Sequence, residues 1–137
     1  MWYYCPMTNL IDNWSLAFKN NPDWTYAHFQ CNQGWNAILG SLFDSIESYL
    51  QSLPNDSKVR EEFVFEQIKE KFGGLRVYVL GADYRLYTLI TETEDKADSI
   101  CELCGEDGSI AKKGNYWRTV CTECRTKHEY ACIEPRL

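Results

Sequence analysis

A chain of 137 residues with 45% hydrophobic and 15% aromatic side chains is long enough to bury a real core and too apolar to stay disordered. No apolar run approaches the roughly 18 residues of a membrane-spanning helix, and no basic-then-apolar leader opens the chain, so a soluble, cytoplasmic protein is expected. The net charge of −6 argues against broad phosphate-backbone binding, which depends on clustered Lys and Arg, and favours a protein partner or a small ligand.

The opening is aromatic, with Trp2, Tyr3, Tyr4, Trp14, Phe18, Trp24, Tyr26 and Phe29 spaced by polar residues. Thr8 or Asn9 is placed to cap a short helix running to Phe18, with Leu10, Ile11, Trp14 and Phe18 along one side. Asn20 to Asp23 then reads as a turn. Trp35, Ile38, Leu39, Leu42, Phe43, Ile46, Tyr49 and Leu50 repeat at intervals of three and four, which predicts a helix from about Trp35 to Ser52. Pro54, Asn55 and Asp56 end it.

From Glu62 to Leu80 two patterns compete. Val64, Ile68 and Phe72 suit a helix, while the β-rich runs on either side of Gly73-Gly74 suit a hairpin. Two antiparallel strands turning at those glycines are favoured, and a helix ended by glycine followed by one strand is the alternative. Leu86, Leu89, Ile90 and Ala97 place a further helix from Asp83 towards Cys101.

Cys101-Glu102-Leu103-Cys104 and Cys121-Thr122-Glu123-Cys124 are two CxxC pairs separated by sixteen residues. Zinc takes four soft ligands at tetrahedral corners, and each CxxC turn supplies two thiolates at the right separation. The four cysteines are therefore candidate ligands of one structural Zn2+. A closed four-thiolate shell leaves no position for a reactive water.

Between the pairs, Ser109 to Ala111 and Tyr116 to Val120 read as strands, with a turn at Lys112 to Asn115 and a helix over Arg125 to Tyr130. That order suggests a treble clef, with a zinc ribbon as the alternative. His128 and Cys132 extend the pattern, and His128 reads better as an ordinary surface residue than as a ligand. Cys5 and Cys31 read as buried free thiols. The expected fold is α+β, with N-terminal helices packed on a small antiparallel sheet (residues 1–100) and the zinc module (residues 101–137) packed against it as one unit.

The stretches Cys31-Asn32-Gln33-Gly34-Trp35 and Gln67-Ile68-Lys69-Glu70-Lys71-Phe72-Gly73-Gly74-Leu75-Arg76, with the run from Cys101 through Trp117 to Cys124, resemble small zinc-finger proteins encoded by phages and prophages. The likeness covers roughly residues 31–128. In that family the last ligand pair often reads cysteine and histidine, where this chain has Cys121 and Cys124. The resemblance implies a phage origin, a bacterial cytoplasm as the setting, and an accessory role without a named reaction.

Three functions compete. The first is a non-enzymatic binding protein that blocks a host defence protein or sequesters its nucleotide signal. In that case Lys71, Arg76 and Arg118 meet phosphate, while Trp35, Tyr78 or Trp117 stacks on a base. The second is a nucleic-acid-binding zinc module, suggested by Lys112, Arg118, Arg125 and Trp117 and weakened by acids such as Glu102 and Glu106 around them. The third is an enzyme, which the sequence favours least. His28 and His128 are its only histidines, no phosphate-cradling loop or nucleophile elbow is present, and Glu66 and Glu70 read better as a solvated face than as an acid–base pair.

Overall fold

The computed structural model describes residues 9–132; the readings placed on Trp2, Tyr3, Tyr4, Cys5 and Thr8 lie outside them. The helix expected up to Phe18 is absent. Asn9 Oδ1 does cap a turn by accepting from the Ile11 N–H at 3.0 Å, but only a 3-10 turn over Leu10–Asp12 follows. The reason is a competitor for the helical hydrogen bonds. The buried Glu47 carboxylate accepts the backbone N–H of Leu16 and of Ala17, each at 2.9 Å, so those donors point at a side chain instead of at carbonyls one turn back.

Helix α1 spans Asn36–Ser52 and buries the predicted stripe of Leu39, Leu42, Phe43, Ile46 and Leu50. A short helix α2, Lys58–Glu62, follows, capped where the Ser57 hydroxyl accepts from the Arg60 N–H. The sequence reading assigned nothing there. Strands β2 (Val64–Lys71) and β3 (Gly74–Leu80) form the expected antiparallel hairpin. Its turn is offset by one residue from the expectation. Lys71 pairs with Gly74, so the loop is Phe72-Gly73, with φ of +52° and +85°. Positive φ at both central residues is what a tight two-residue hairpin requires.

A two-residue strand β1, Phe29–Gln30, lies parallel to β2 on the far edge, an addition the sequence did not announce. Helix α3, Tyr84–Ala97, starts where Asp83 Oδ1 accepts the Leu86 N–H at 3.0 Å. It also covers the open edge of β3, because Glu94 Oε2 accepts the Val77 N–H at 2.9 Å. An edge donor so occupied is closed to pairing with another chain. Phe65, Ile68, Leu75, Val77 and Val79 on the inner sheet face join the α1 stripe, Trp14 and Phe18 in one continuous core.

The C-terminal part builds a second sheet in the order β5-β4-β6, from β4 (Ser109–Lys113), β5 (Tyr116–Val120) and β6 (Ala131–Cys132). Helix α4 runs over Thr122–Lys127, three residues earlier than the Arg125 to Tyr130 expected. It ends because Glu129 turns into the left-handed region at φ +62°. The Tyr130 N–H then reaches back to Arg125 O and the Glu129 N–H to Thr126 O, the hydrogen-bond pair of a Schellman cap. Among the described residues the molecule is thus α+β, with four α-helices and two small sheets.

Candidate metal centre

The site is built by two turns. In the first, the Cys101 N–H donates to Glu106 O at 2.7 Å and the Gly105 N–H to Cys101 O at 2.9 Å, and Gly105 at φ +88° lets the chain reverse after Cys104. In the second, Cys121 caps α4, its Sγ accepting the Cys124 N–H at 3.3 Å. The β4–β5 hairpin brings the two turns together. The sulfurs of Cys101, Cys104, Cys121 and Cys124 all lie within 4.8 Å of one another, and none is in a disulfide. Corners of a tetrahedral thiolate site with metal–sulfur bonds near 2.3 Å are about 3.8 Å apart, so the four residues fit a metal ion.

The electrostatics favour a cation as well. Burial works against the Cys101 thiolate, but N–H donors of Cys121, Cys104 and Leu103 outweigh it and hold the thiol down to about 7. Cys124 is pushed far up by burial and by its sulfur neighbours. Four thiols this close cannot all ionise unless a positive ion takes their charge. Cys101 and Cys121 are buried and Cys104 is exposed, so the cluster is reachable from one side. His128 lies exposed at the C-terminal cap of α4 and is outside this group.

The residue between the first ligand pair was misjudged at the sequence level. Glu102 is not a solvated acid offsetting nearby lysines; it is 1% exposed. Its Oε1 accepts from Arg118 Nη1 at 2.8 Å, and its Oε2 accepts the Asn32 N–H at 2.9 Å and the Asn32 side-chain amide at 3.1 Å. Burial raises the Glu102 carboxyl above its ordinary value, against the pull of Asn32 and Arg118. Arg118 is lowered by burial but raised overall by Glu102 and by its bond to the Tyr130 hydroxyl. Three donors, one from Arg118 and two from Asn32, converge on the carboxylate.

The segment around Cys31 to Trp35 is the body's seat for this first turn. The Gly34 N–H donates to Glu102 O at 2.7 Å, and the Trp35 indole N–H donates to Ile100 O at 2.9 Å. A Cβ on Gly34 would lie 2.2 Å from Cys101 O, so only glycine lets the two backbones approach this closely.

The candidate binding residues separate accordingly. Trp35 is 0% exposed and spends its one donor on Ile100, which corrects its reading as a stacking platform: it is core. Arg118 is committed to Glu102 and Tyr130, which corrects its reading as a phosphate contact. Lys71 and Arg76 line one cleft of about 430 Å³ at the hairpin tip. Tyr78 and Trp117 are both exposed at the surface, with the Lys112 ammonium 5.4 Å from the Trp117 ring. Missed altogether were Asn32 and Tyr130, and exposed Phe72 at the turn. The one available signal was that Asn32 and Phe72 fall inside two of the three stretches singled out in the sequence.

No helix among the described residues is long and apolar enough to cross a membrane. No family model matches the chain, and neither a curated protein nor a solved structure matches it significantly.

Proposed function

We propose that the chain is a zinc-stapled binding protein of the phage accessory kind, acting in a bacterial cytoplasm by holding a host defence protein or its nucleotide signal. The observation that carries the first half is the cluster of four sulfurs within 4.8 Å, supplied by two CxxC turns. The all-sulfur donor set favours zinc over harder cations, and the succession of turn, hairpin and helix starting at the second pair supports the treble-clef reading over a zinc ribbon. Zinc held this way cross-links the fold. The second half is supported by the resemblance of the Cys31–Trp35 and Gln67–Arg76 stretches to phage and prophage proteins, and by the cations Lys71 and Arg76 at one cleft. The test is elemental analysis of the purified chain for one zinc per molecule. It is paired with infection assays in which expression of the chain restores phage growth in a host carrying a defence system.

A nucleic-acid-binding module is the second reading, favoured by the exposed β4–β5 hairpin, where Lys112 lies over Trp117 and Tyr116 is open to solvent. Binding of single-stranded RNA or DNA that weakens steeply with salt, and is lost in Trp117→Ala, supports it. Absence of any shift at low ionic strength removes it.

A further inference from the structure

We infer that the tip of the β2–β3 hairpin, where exposed Phe72 sits between glycines and cations, binds a free nucleotide, its base on the Phe72 ring and its phosphate on Lys71 and Arg76. This deepens the binding-protein reading and rests on it.

The first ground is the placement of Phe72. It occupies a left-handed backbone conformation at φ +52°, which disfavours a bulky side chain and suits asparagine or glycine. Its ring is 76% exposed, so little packing within the chain compensates for that conformation. An aromatic held in this way against its backbone preference is explained by something that touches it from outside.

The second is that the tip is fixed in position before any ligand arrives. Glu70 Oε2 accepts the Gly73 N–H at 2.7 Å, and the Thr119 hydroxyl donates to Gly73 O at 2.8 Å. Gly73 packs so closely on the zinc module that a Cβ there would lie 2.2 Å from Ile110 Cδ1. A preorganised site loses less entropy on binding.

The third is charge. Arg76 stands directly opposite Lys69 in the strand pair, and like charges so placed repel. Arg76 gives one N–H to Leu75 O at 2.7 Å and keeps the rest of its guanidinium donors. The only ion pair among the described residues is that of Arg118 with Glu102, so Lys69, Lys71 and Arg76 are not neutralised by a carboxylate contact. An anion at the tip relieves their repulsion. The cleft there, about 430 Å³ with Ile110 and Phe72 as apolar surface, is of the size that takes a small molecule. Asp98 also lines it and is placed to accept from a sugar hydroxyl or a base amino group. A polynucleotide needs a longer cationic track, which a chain of net charge −6 does not offer here. The free nucleotide is the better fit.

The test is NMR titration of the full-length, zinc-loaded chain with adenosine and guanosine monophosphates, ribose 5-phosphate, inorganic phosphate and an eight-residue thymidine oligonucleotide. A mononucleotide should shift the amides of residues 71–74 and 118–119. Ribose 5-phosphate and phosphate should bind roughly tenfold more weakly, the worth of one base stack. Phe72→Gly, which suits the local backbone, should fold and lose a similar factor, and Arg76→Gln should lose roughly tenfold as a charge-assisted contact. The site is overturned if neither mononucleotide shifts these amides at millimolar concentration, or if phosphate alone binds as well as the nucleotides. It is equally overturned if the oligonucleotide binds the tip more tightly than either mononucleotide. In any of these cases a chain that carries its zinc and restores phage growth leaves the wider binding reading standing.

Discussion

The Glu102 carboxylate meets the Arg118 guanidinium at 2.8 Å inside the turn that carries the first two cysteines, and its other oxygen is held by Asn32 of the body. One buried side chain therefore ties the metal turn, strand β5 and the segment before α1 together. Removing it leaves Arg118 and two Asn32 donors unanswered. Glu102→Ala is expected to cost roughly 3–5 kcal/mol, with Glu102→Gln milder because the amide oxygen still accepts. Urea midpoints of the two variants and the parent measure this, and equal midpoints contradict it.

Stripping the metal with a strong chelator or a thiol-reactive mercurial should release one zinc per chain, with Cys104 as the exposed point of attack. Structural zinc sites carry on the order of 10 kcal/mol of folding free energy, so residues 101–132 should lose amide protection outright. The core around Leu39, Phe43 and Ile46, which rests on its own cluster, should keep it. Hydrogen exchange resolved by residue distinguishes this from global unfolding.

Gly34→Ala is expected to destabilise by roughly 2–3 kcal/mol, since the added carbon meets the Cys101 and Glu102 backbone within 2.4 Å. Because backbone cannot swing aside as a side chain does, zinc should also dissociate faster. Thermal melts and metal-release rates read both effects.

Phe72→Gly should raise stability by roughly 0.5–1 kcal/mol, because glycine adopts positive φ freely and the lost ring was mostly solvated. An unchanged or lowered denaturation midpoint would refute the strain assigned to this position.

Burial, and then the carboxylates of Glu102 and Glu70, push the Cys31 thiol up to about 12. The unfolded chain loses that proton near 9 while the folded chain keeps it. The folded state therefore binds more protons in this window, and stability is complete below about pH 9 and falls as pH rises towards 12. In Cys31→Ala that part of the slope should vanish. Denaturant midpoints of both chains at pH 8 and pH 10.5 check it.

How legible all this was depended on the range of the interactions involved. The α1 stripe, the two-strand hairpin and the clustering of the four cysteine sulfurs follow from spacing along the chain: a period of three to four residues buries one helix face, and a two-residue gap sets two thiols on one turn. The failure at Leu10–Phe18 had the opposite origin, because Glu47, some thirty residues away, takes the N–H groups a helix would have used. Local propensity gives no sign of such a competitor. Likewise Trp35 and Arg118 carry the side chains of a ligand site, and only the tertiary structure shows that the Trp35 indole N–H goes to Ile100 and that Arg118 is held by Glu102 and Tyr130.

The sequence by itself determined that the chain folds as α+β and that Cys101, Cys104, Cys121 and Cys124 converge, since periodicity and ligand spacing are local properties. Only the tertiary structure decided that Glu102 is the buried tie between metal turn and body, and that Phe72 stands exposed on a clamped turn. Both are facts of burial, and burial is set by residues distant in the chain.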